Sequence, residues 1–202
     1  MNNPYDIVAA FEQAVADYAG APYGVAVDSC TNALMLSLVY KKRSDCYMPP
    51  VRLPTYTYVG VVQVVLNAGY KIDFLNFEWS GAYYLNPYLI IDSARRFRRG
   101  MYRANTLYCL SFHEGKHLPI GTGGMILTDD EEAADTLRKM RYDGRTSGVP
   151  PAEDTFITPG YHCHMKPNEA ARGLMLMRYI ADDNPDLPWD GYADLSKQEA
   201  FR

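Results

Sequence analysis

The chain has 202 residues, of which 48% are hydrophobic, and its formal net charge is -4. This size suffices for one well-buried α/β domain, and the weak negative charge argues against general nucleic-acid or membrane-surface binding. No apolar run reaches the roughly 20 residues that span a bilayer, and residues 1–6 lack the pattern of a secretory signal. Cys30, Cys46, Cys109 and Cys163 form no close-spaced pair, which predicts reduced thiols and a cytoplasmic protein.

Hydrophobic spacing predicts alternating helices and strands along the chain. Helices are expected at 5–19, 32–40, 59–68, about 129–140 and 168–180. Strands are expected at 23–27, 47–53, 70–75, 88–91, 106–111 and 123–128, with a loop at 76–87. The alternation predicts an α/β fold with a mostly parallel mixed sheet and helices on both faces. Residues 1–181 are expected to form one compact domain, and 182–202 a polar C-terminal arm or tail.

A single lysine, Lys116, lies between two apolar β-rich runs in the stretch YCLSFHEGKHLPIGTGGMIL, residues 108–127. A loop fixed by a strand on each side can hold a lysine partly out of water. Desolvation lowers the pKa of an amine and makes it a usable nucleophile. Taken alone, however, the stretch favours a surface hairpin with a solvated lysine.

Two other stretches carry polar groups where a strand ends. Ser29-Cys30-Thr31-Asn32 lies between a strand and a helix, where free N–H groups and a Thr hydroxyl suit a dianionic phosphate. An ordinary helix N-cap is the alternative interpretation. Asp92 ends an apolar strand, which is where α/β folds bind ligands, although it could also cap the following turn.

Five segments, in this order, resemble those of the DegT/DnrJ/StrS sugar aminotransferases, which are pyridoxal-phosphate (PLP) enzymes of fold type I. They are Ser-Cys-Thr at 29–31, Pro-Thr-Tyr-Thr-Tyr at 54–58, Ile-Ile-Asp-Ser-Ala-Arg at 90–95, Ser-Phe-His-x-x-Lys at 111–116 with the following Gly-Thr-Gly-Gly-Met, and Gly-Tyr-His-Cys-His-Met at 160–165. The resemblance covers roughly residues 7–180. It therefore implies the fold type I large domain without the family's small C-terminal domain.

The resemblance implies PLP as the cofactor and Lys116 as the catalytic residue that forms the internal aldimine. Asp92 would keep the pyridine nitrogen protonated, which makes the ring an electron sink, and Tyr58 would stack on the ring. The other residues implied in cofactor binding are Ser29, Cys30, Thr31, Asn32, Arg95, Ser111, His113 and His162. No metal ligand is implied.

Four positions depart from the family pattern, and one of them is His164, which replaces an arginine. Cys30 replaces a glycine, Arg95 replaces a residue that approaches the cofactor's 3-hydroxyl, and His162 replaces an asparagine that reaches the phosphate of the neighbouring subunit. The resemblance implies a homodimer with shared active sites, in which this last contact is changed. It also implies amino transfer from an amino acid such as glutamate to a keto acceptor, which in the family is a keto-sugar nucleotide.

Other functions fit the same residues. The protein could catalyse a different PLP reaction, namely decarboxylation, racemisation or elimination, or bind PLP with little or no catalysis. A zinc site is a weaker alternative, because its first histidine pair lies in a Gly/Pro-containing loop. That site would be built from His113, His117, His162, Cys163 and His164. The stretch RRFRRGMYR at 95–103 is either a solvated charged loop or an anion funnel for a substrate carboxylate or phosphate.

Overall fold

The structure, a computed structural model, describes residues 3–43, 47–188 and 191–201. The α-helices are α1 (Asp6–Ala19), α2 (Cys30–Lys42), α3 (Val59–Asn67), α4 (Glu131–Met140) and α5 (Pro167–Met177). The strands are β1 (Tyr23–Val27), β2 (Val51–Pro54), β3 (Ile72–Leu75), β4 (Tyr83–Leu85), β5 (Ile90–Asp92), β6 (Leu107–Ser111) and β7 (Gly124–Thr128). Two short 3-10 helices, Leu195–Lys197 and Glu199–Phe201, come last. None of the helices in these ranges has the length and apolar character needed to cross a membrane.

Five of the strands form one sheet in the order β1-β7-β6-β5-β4, and β2 and β3 form a separate parallel pair. Within the larger sheet β5 and β6 are parallel, whereas the β1–β7, β6–β7 and β4–β5 pairs are antiparallel. The predicted α/β class and mixed sheet are confirmed. The expected majority of parallel pairs is corrected, because three of these four pairs are antiparallel.

Short connections explain the difference in strand direction. Only four residues join β4 to β5, and the β6–β7 connection contains no helix. Antiparallel neighbours can be joined by such short connections, whereas parallel neighbours need a long crossover. The mostly parallel sheet was predicted from the alternation of strands and helices along the chain, and these two connections contain no helix.

Helices cover both faces of the larger sheet and bury a separate apolar cluster on each face. On one face Val25, Val27 and Ile126 pack with residues of α2, α3 and α4. On the other face Ala26 and Met125 pack with α1 and the start of α5. Successive strand residues point to opposite faces, so the apolar runs in β1 and β7 supply both clusters.

Two segments show where local sequence signals succeed and fail. The helical prediction for residues 59–68 is confirmed, although β-branched residues disfavour a helix. Val61, Val62 and Val65 are buried in the first cluster, and this packing outweighs the low propensity. The predicted loop at 76–87 contains the strand β4, whose three residues are too few to give a recognisable period.

The thiols and the C-terminal segment complete the described fold. Cys30, Cys109 and Cys163 are buried free thiols, and Cys46 lies outside the described residues. Residues 182–188 and 191–201 contact the rest of the chain along their length. For example, the Leu195 side chain is buried, and the Leu195 backbone N–H donates to the carbonyl of Thr55 at 3.1 Å.

Candidate active site

A cavity of about 320 Å³ lies among the N-terminus of α2, the turn before α3, the ends of β5 and β6, and the loop that carries Lys116. Of the residues predicted from the sequence, it brings together Ser29, Cys30, Thr31, Tyr58, Asp92, Arg95, Ser111, His113 and Lys116. Asn32 and His162 do not line it. Its volume is within the range of small-molecule sites, which is about 300–1,000 Å³.

Lys116 lies half-buried in the turn after β6, where its N–H donates to the carbonyl of His113 at 2.9 Å. Burial lowers the pKa of its ammonium group, and the positive charge of Arg95 lowers it further. The Cys30 thiol and the Asp92 carboxyl act in the opposite direction. A larger fraction of this amine is therefore neutral, and so nucleophilic, than of an exposed lysine at the same pH.

Asp92 ends β5 with only 5% of its surface exposed. Its Oδ1 accepts a hydrogen bond from the N–H of Ala94 at 2.9 Å, and its Oδ2 accepts one from the Tyr83 hydroxyl at 2.8 Å. Burial raises the pKa of this carboxyl, while the two hydrogen bonds and the Lys116 charge oppose the increase. The carboxyl is thus held in a fixed orientation, facing a cavity that also contains a lysine.

Tyr83 was not predicted from the sequence. Its hydroxyl lies 2.5 Å from the Thr57 hydroxyl, so Thr57, Tyr83 and Asp92 form a buried hydrogen-bonded chain. Burial, followed by the charge of Asp92, raises the pKa of Tyr83 well above its ordinary value. The phenol therefore stays protonated and donates to Asp92. Nothing in the sequence identified it, because its short strand was predicted as a loop.

At the start of α2 the Ser29 hydroxyl caps the helix by accepting a hydrogen bond from the Asn32 N–H at 3.1 Å. The same hydroxyl donates to Oδ1 of Asp28 at 3.0 Å, and the Asn32 side-chain amide donates to that oxygen at 2.7 Å. Asn32 is therefore turned toward Asp28. The N–H groups of a first helical turn lack intrahelical partners, so this end of the cavity offers donors to an anion.

The strand after the lysine loop lies directly against this turn. A side chain at Gly124 would place its Cβ 2.4 Å from the carbonyl carbon of Ser29 and 2.5 Å from the nitrogen of Cys30. Ser29 also forms a parallel bridge with Gly123. The glycines after Lys116 therefore allow the loop and the helix start to meet at the backbone.

Cys30 is buried at the start of α2, and burial is the main reason that the pKa of its thiol is raised well above the ordinary value.

The remaining predicted residues of the cavity are more exposed. Tyr58 is 53% exposed at the start of α3, and its ring lies where a Cβ on Gly60 would be 2.5 Å away. The Ser111 hydroxyl accepts a long hydrogen bond, 3.5 Å, from the N–H of the exposed His113. Tyr58 thus has an open ring face and Ser111 has an available hydroxyl proton.

His162 lies outside the cavity. Its ring contacts the Asp143 carboxylate at 2.8 Å, and its centroid is 4.8 Å from that of His164. His117 contacts the carbonyl of Pro185 at 2.8 Å. Across residues 3–43, 47–188 and 191–201, no three His, Cys, Asp or Glu side chains are grouped so that they could bind a metal. The zinc alternative therefore has no support in this part of the chain.

Two further residues of the cavity were missed by the sequence analysis. Tyr192, from the predicted tail, stacks on Trp79 with ring centroids 6.4 Å apart and an interplanar angle of 17°. Both side chains line the cavity. The Tyr192 hydroxyl also accepts hydrogen bonds from Arg95. A polar segment with two prolines gave no signal that it would contribute to a site.

Comparisons with known proteins show the family of the chain. The model of the DegT/DnrJ/EryC1/StrS aminotransferase family matches residues 1–90 and 99–184, and the chain belongs to this family. The spore coat polysaccharide biosynthesis protein SpsC of Bacillus subtilis (strain 168) is 35% identical over 83 residues, covering 36% of this chain and 20% of SpsC.

Solved structures show the same fold at lower identity. AtS13 from Actinomadura melliaura superposes with a TM-score of 0.74 at 21% identity, over 86% of this chain and 60% of that chain. NtdA from Bacillus subtilis, solved with bound cofactor PMP, gives a TM-score of 0.69 at 20% identity, over 86% of this chain and 48% of that chain. The chain therefore spans less than two thirds of the length of each of these relatives.

Proposed function

We propose that this protein binds PLP in the cavity described above and transfers an amino group from an amino acid to a keto acceptor. One observation carries the proposal: Lys116 and Asp92, which come from different elements, face the same cavity. An amine with a lowered pKa and a buried carboxyl are the two groups that PLP chemistry requires of a protein.

The residues present fit the cofactor. Lys116 would hold it covalently through Nζ, and Asp92 would hold the proton on its ring nitrogen. Thr31 and Ser111 would bind the phosphate, with help from the N-terminus of α2, and Ser29 would join them by turning its hydroxyl proton from Asp28 to the phosphate. Asp28, which also lines the cavity, would oppose a phosphate, but its Oδ1 already accepts hydrogen bonds from Ser29 and Asn32.

When bound, PLP supplies an electron sink for the bond that breaks at the substrate Cα. The protein's contribution is to orient groups and to move a proton. Lys116 Nζ, once free, would take the proton from the substrate Cα as general base and would then deliver it to the cofactor carbon as general acid. Its lowered pKa favours the neutral amine that the first of these steps needs. The Tyr58 ring is exposed and would stack on the pyridine ring of the cofactor. Such a stacked pair is worth about 0.5–1.5 kcal/mol beyond burial.

The substrates are proposed from relatedness. A common amino acid such as glutamate is the proposed amino donor. The name of SpsC refers to polysaccharide biosynthesis, and this supports a keto-sugar as the acceptor.

We also propose a homodimer, with His162 near the neighbouring subunit, because its exposed imidazole lies outside the cavity of its own chain.

A second candidate is PLP binding with little turnover, or with a different outcome at the substrate Cα. Arg95 favours this candidate, because it adds a positive charge that acts on Lys116 in the same cavity. Decarboxylation, racemisation and elimination start from the same bound substrate.

An assay panel separates these candidates. The purified protein with added PLP is incubated with single amino acids and scored for keto acid, carbon dioxide, ammonia and inverted enantiomer. Amino transfer predicts keto acid formation from glutamate without the other products, and loss of that product in Lys116→Arg, which keeps the charge. Keto acid from wild type and Lys116→Arg alike would exclude the proposed role of the lysine.

A further inference from the structure

The arginine-rich stretch 95–103 divides into two groups by its partners. Arg96, Arg98 and Arg99 pair with acids of the C-terminal segment. Arg96 donates to both oxygens of Asp186, at 2.7 and 2.5 Å, and Arg99 contacts Asp182 at 2.7 Å. Arg98 lies 3.8 Å from Asp186. These side chains fasten the segment to the domain, and their charges are matched by acids of the same chain.

Arg95 differs from these three in its partners, and it differs from Arg103, which donates to the Tyr84 hydroxyl, because it lines the cavity. Its Nε and Nη2 donate to the Tyr192 hydroxyl, at 3.1 and 3.0 Å, and its Nη1 donates to the carbonyl of Pro188. These oxygens are neutral. Within residues 3–43, 47–188 and 191–201, no carboxylate lies within ion-pair distance of Arg95. Arg95 thus has no ion-pair partner among the described residues, although its charge interacts with the Asp92 carboxyl at longer range, and a half-buried arginine of this kind can receive an anionic ligand.

The hydrogen-bond inventory of Arg95 points the same way. A guanidinium has five N–H groups, and the bonds to Tyr192 and Pro188 use one on each nitrogen. One N–H remains on Nη1 and one on Nη2. These two N–H groups remain for a ligand, and a guanidinium typically binds a carboxylate through two such groups.

The surroundings hold Arg95 in place. The N–H of Leu187 donates to the Arg95 carbonyl at 2.9 Å, and Tyr192, which binds the guanidinium, is itself stacked on Trp79. Arg95 lines the same cavity as Lys116, and its charge affects the pKa of that lysine. An arginine fixed in this way loses little conformational freedom when a ligand binds.

We propose that Arg95 binds a carboxylate of the substrate inside the cavity, and that Tyr192 positions it. This inference rests on the proposed function and deepens it, because it assigns a carboxylic acid as the substrate class. The volume of about 320 Å³ suits a cofactor with a small acid better than one with a sugar nucleotide. In this assignment Arg95 serves the substrate and not the cofactor's 3-hydroxyl.

Calorimetric titration of succinate, an unreactive dicarboxylate, into the PLP-loaded protein tests the proposal. Succinate is expected to bind wild type, and Arg95→Gln is expected to weaken binding roughly ten- to hundredfold. Arg95→Lys should recover only part of the affinity, because an ammonium cannot donate in the two-pronged geometry. Tyr192→Phe keeps the ring and should weaken succinate several-fold. Arg103→Gln is the matched control, since Arg103 lies against Tyr84 and does not line the cavity.

Each failure has its own signature. Succinate affinity that is absent in wild type, or unchanged in Arg95→Gln, overturns the carboxylate assignment. Equal or tighter binding of inorganic phosphate through Arg95 overturns it in favour of a phosphate. Loss of PLP affinity in Arg95→Gln means that Arg95 serves the cofactor, which also overturns it. If PLP does not bind wild type, the proposed function fails, and the same succinate titration of the cofactor-free protein decides the role of Arg95.

Discussion

At the scale of single residues, the buried chain from Thr57 through Tyr83 to Asp92 governs the chemistry of the cavity. A carboxyl that is 5% exposed would tend to keep its proton. The hydroxyl of Tyr83 and the N–H of Ala94 stabilise its charged form. Asp92 can therefore act as a counter-ion deep in the protein, although burial raises its pKa.

Replacing Tyr83 with phenylalanine is expected to raise the pKa of Asp92 further and to lower the free energy of unfolding. The substitution removes the hydroxyl that bonds both Thr57 and Asp92. Leaving buried polar groups without their partner costs about 1–3 kcal/mol. Urea denaturation measures the loss. Tyr84→Phe is the matched control, because the neighbouring hydroxyl only accepts a bond from Arg103 at 3.2 Å near the surface. Equal losses in the two variants would contradict the role assigned to Tyr83.

The lowered pKa of Lys116 predicts a pH dependence in the cofactor-free protein. The rate of reductive methylation at Lys116 should reach half its maximum below pH 10.5, the ordinary value for lysine. Arg95→Gln removes a cause that lowers this pKa, so the midpoint should move to higher pH. Mass spectrometry of peptides measures both, with the exposed Lys71 as internal reference. A midpoint that moves to lower pH in Arg95→Gln would contradict the effect assigned to the Arg95 charge.

At the scale of elements, the C-terminal segment is held by its ion pairs. The Arg96 side chain holds the pKa of Asp186 below the ordinary 3.8, with a further contribution from Ser80 and with burial opposing. Because the folded pKa is depressed, this stabilisation is fully present above about pH 4. It is lost as the pH falls through the folded pKa of Asp186.

Asp186→Asn is expected to release the segment at neutral pH. The Arg96 and Asp186 side chains are 17% and 15% exposed, and charge-assisted hydrogen bonds in such a setting are worth about 1.5–3 kcal/mol. Hydrogen exchange in residues 191–201 should speed up while that in α1 stays unchanged. The control is Asp73→Asn, which removes a solvent-exposed pair with Arg52. Unchanged protection in the Asp186 variant would show that other contacts hold the segment.

The elements also show what the sequence could predict. Apolar period and turn residues were enough to predict α1, β1 and β7 closely, because each has a long or fully apolar signal. The family resemblance was enough to predict that Lys116 and Asp92 lie at one cavity. Tyr83 and Tyr192 could not be predicted, because one lies in a three-residue strand and the other reaches the cavity only through long-range packing.

At the scale of the whole molecule, the family resemblance predicts a homodimer. Sedimentation of the PLP-loaded protein should give a species of twice the 22.8 kDa of one chain. Because the active sites are expected to be shared, dilution to monomer should also lower PLP affinity. A protein that stays monomeric and still binds PLP with full affinity would contradict shared active sites. His162→Ala should weaken PLP only in the dimer.

The central claim is that Lys116 carries the cofactor, and one measurement tests it most directly. The visible absorption spectrum of the purified protein is recorded after PLP addition, before and after borohydride, followed by peptide mapping. We expect a violet-region band that borohydride abolishes, with the reduced cofactor attached to Lys116. No band, or cofactor scattered over other lysines, would contradict it and leave the cavity as family architecture without the family's chemistry.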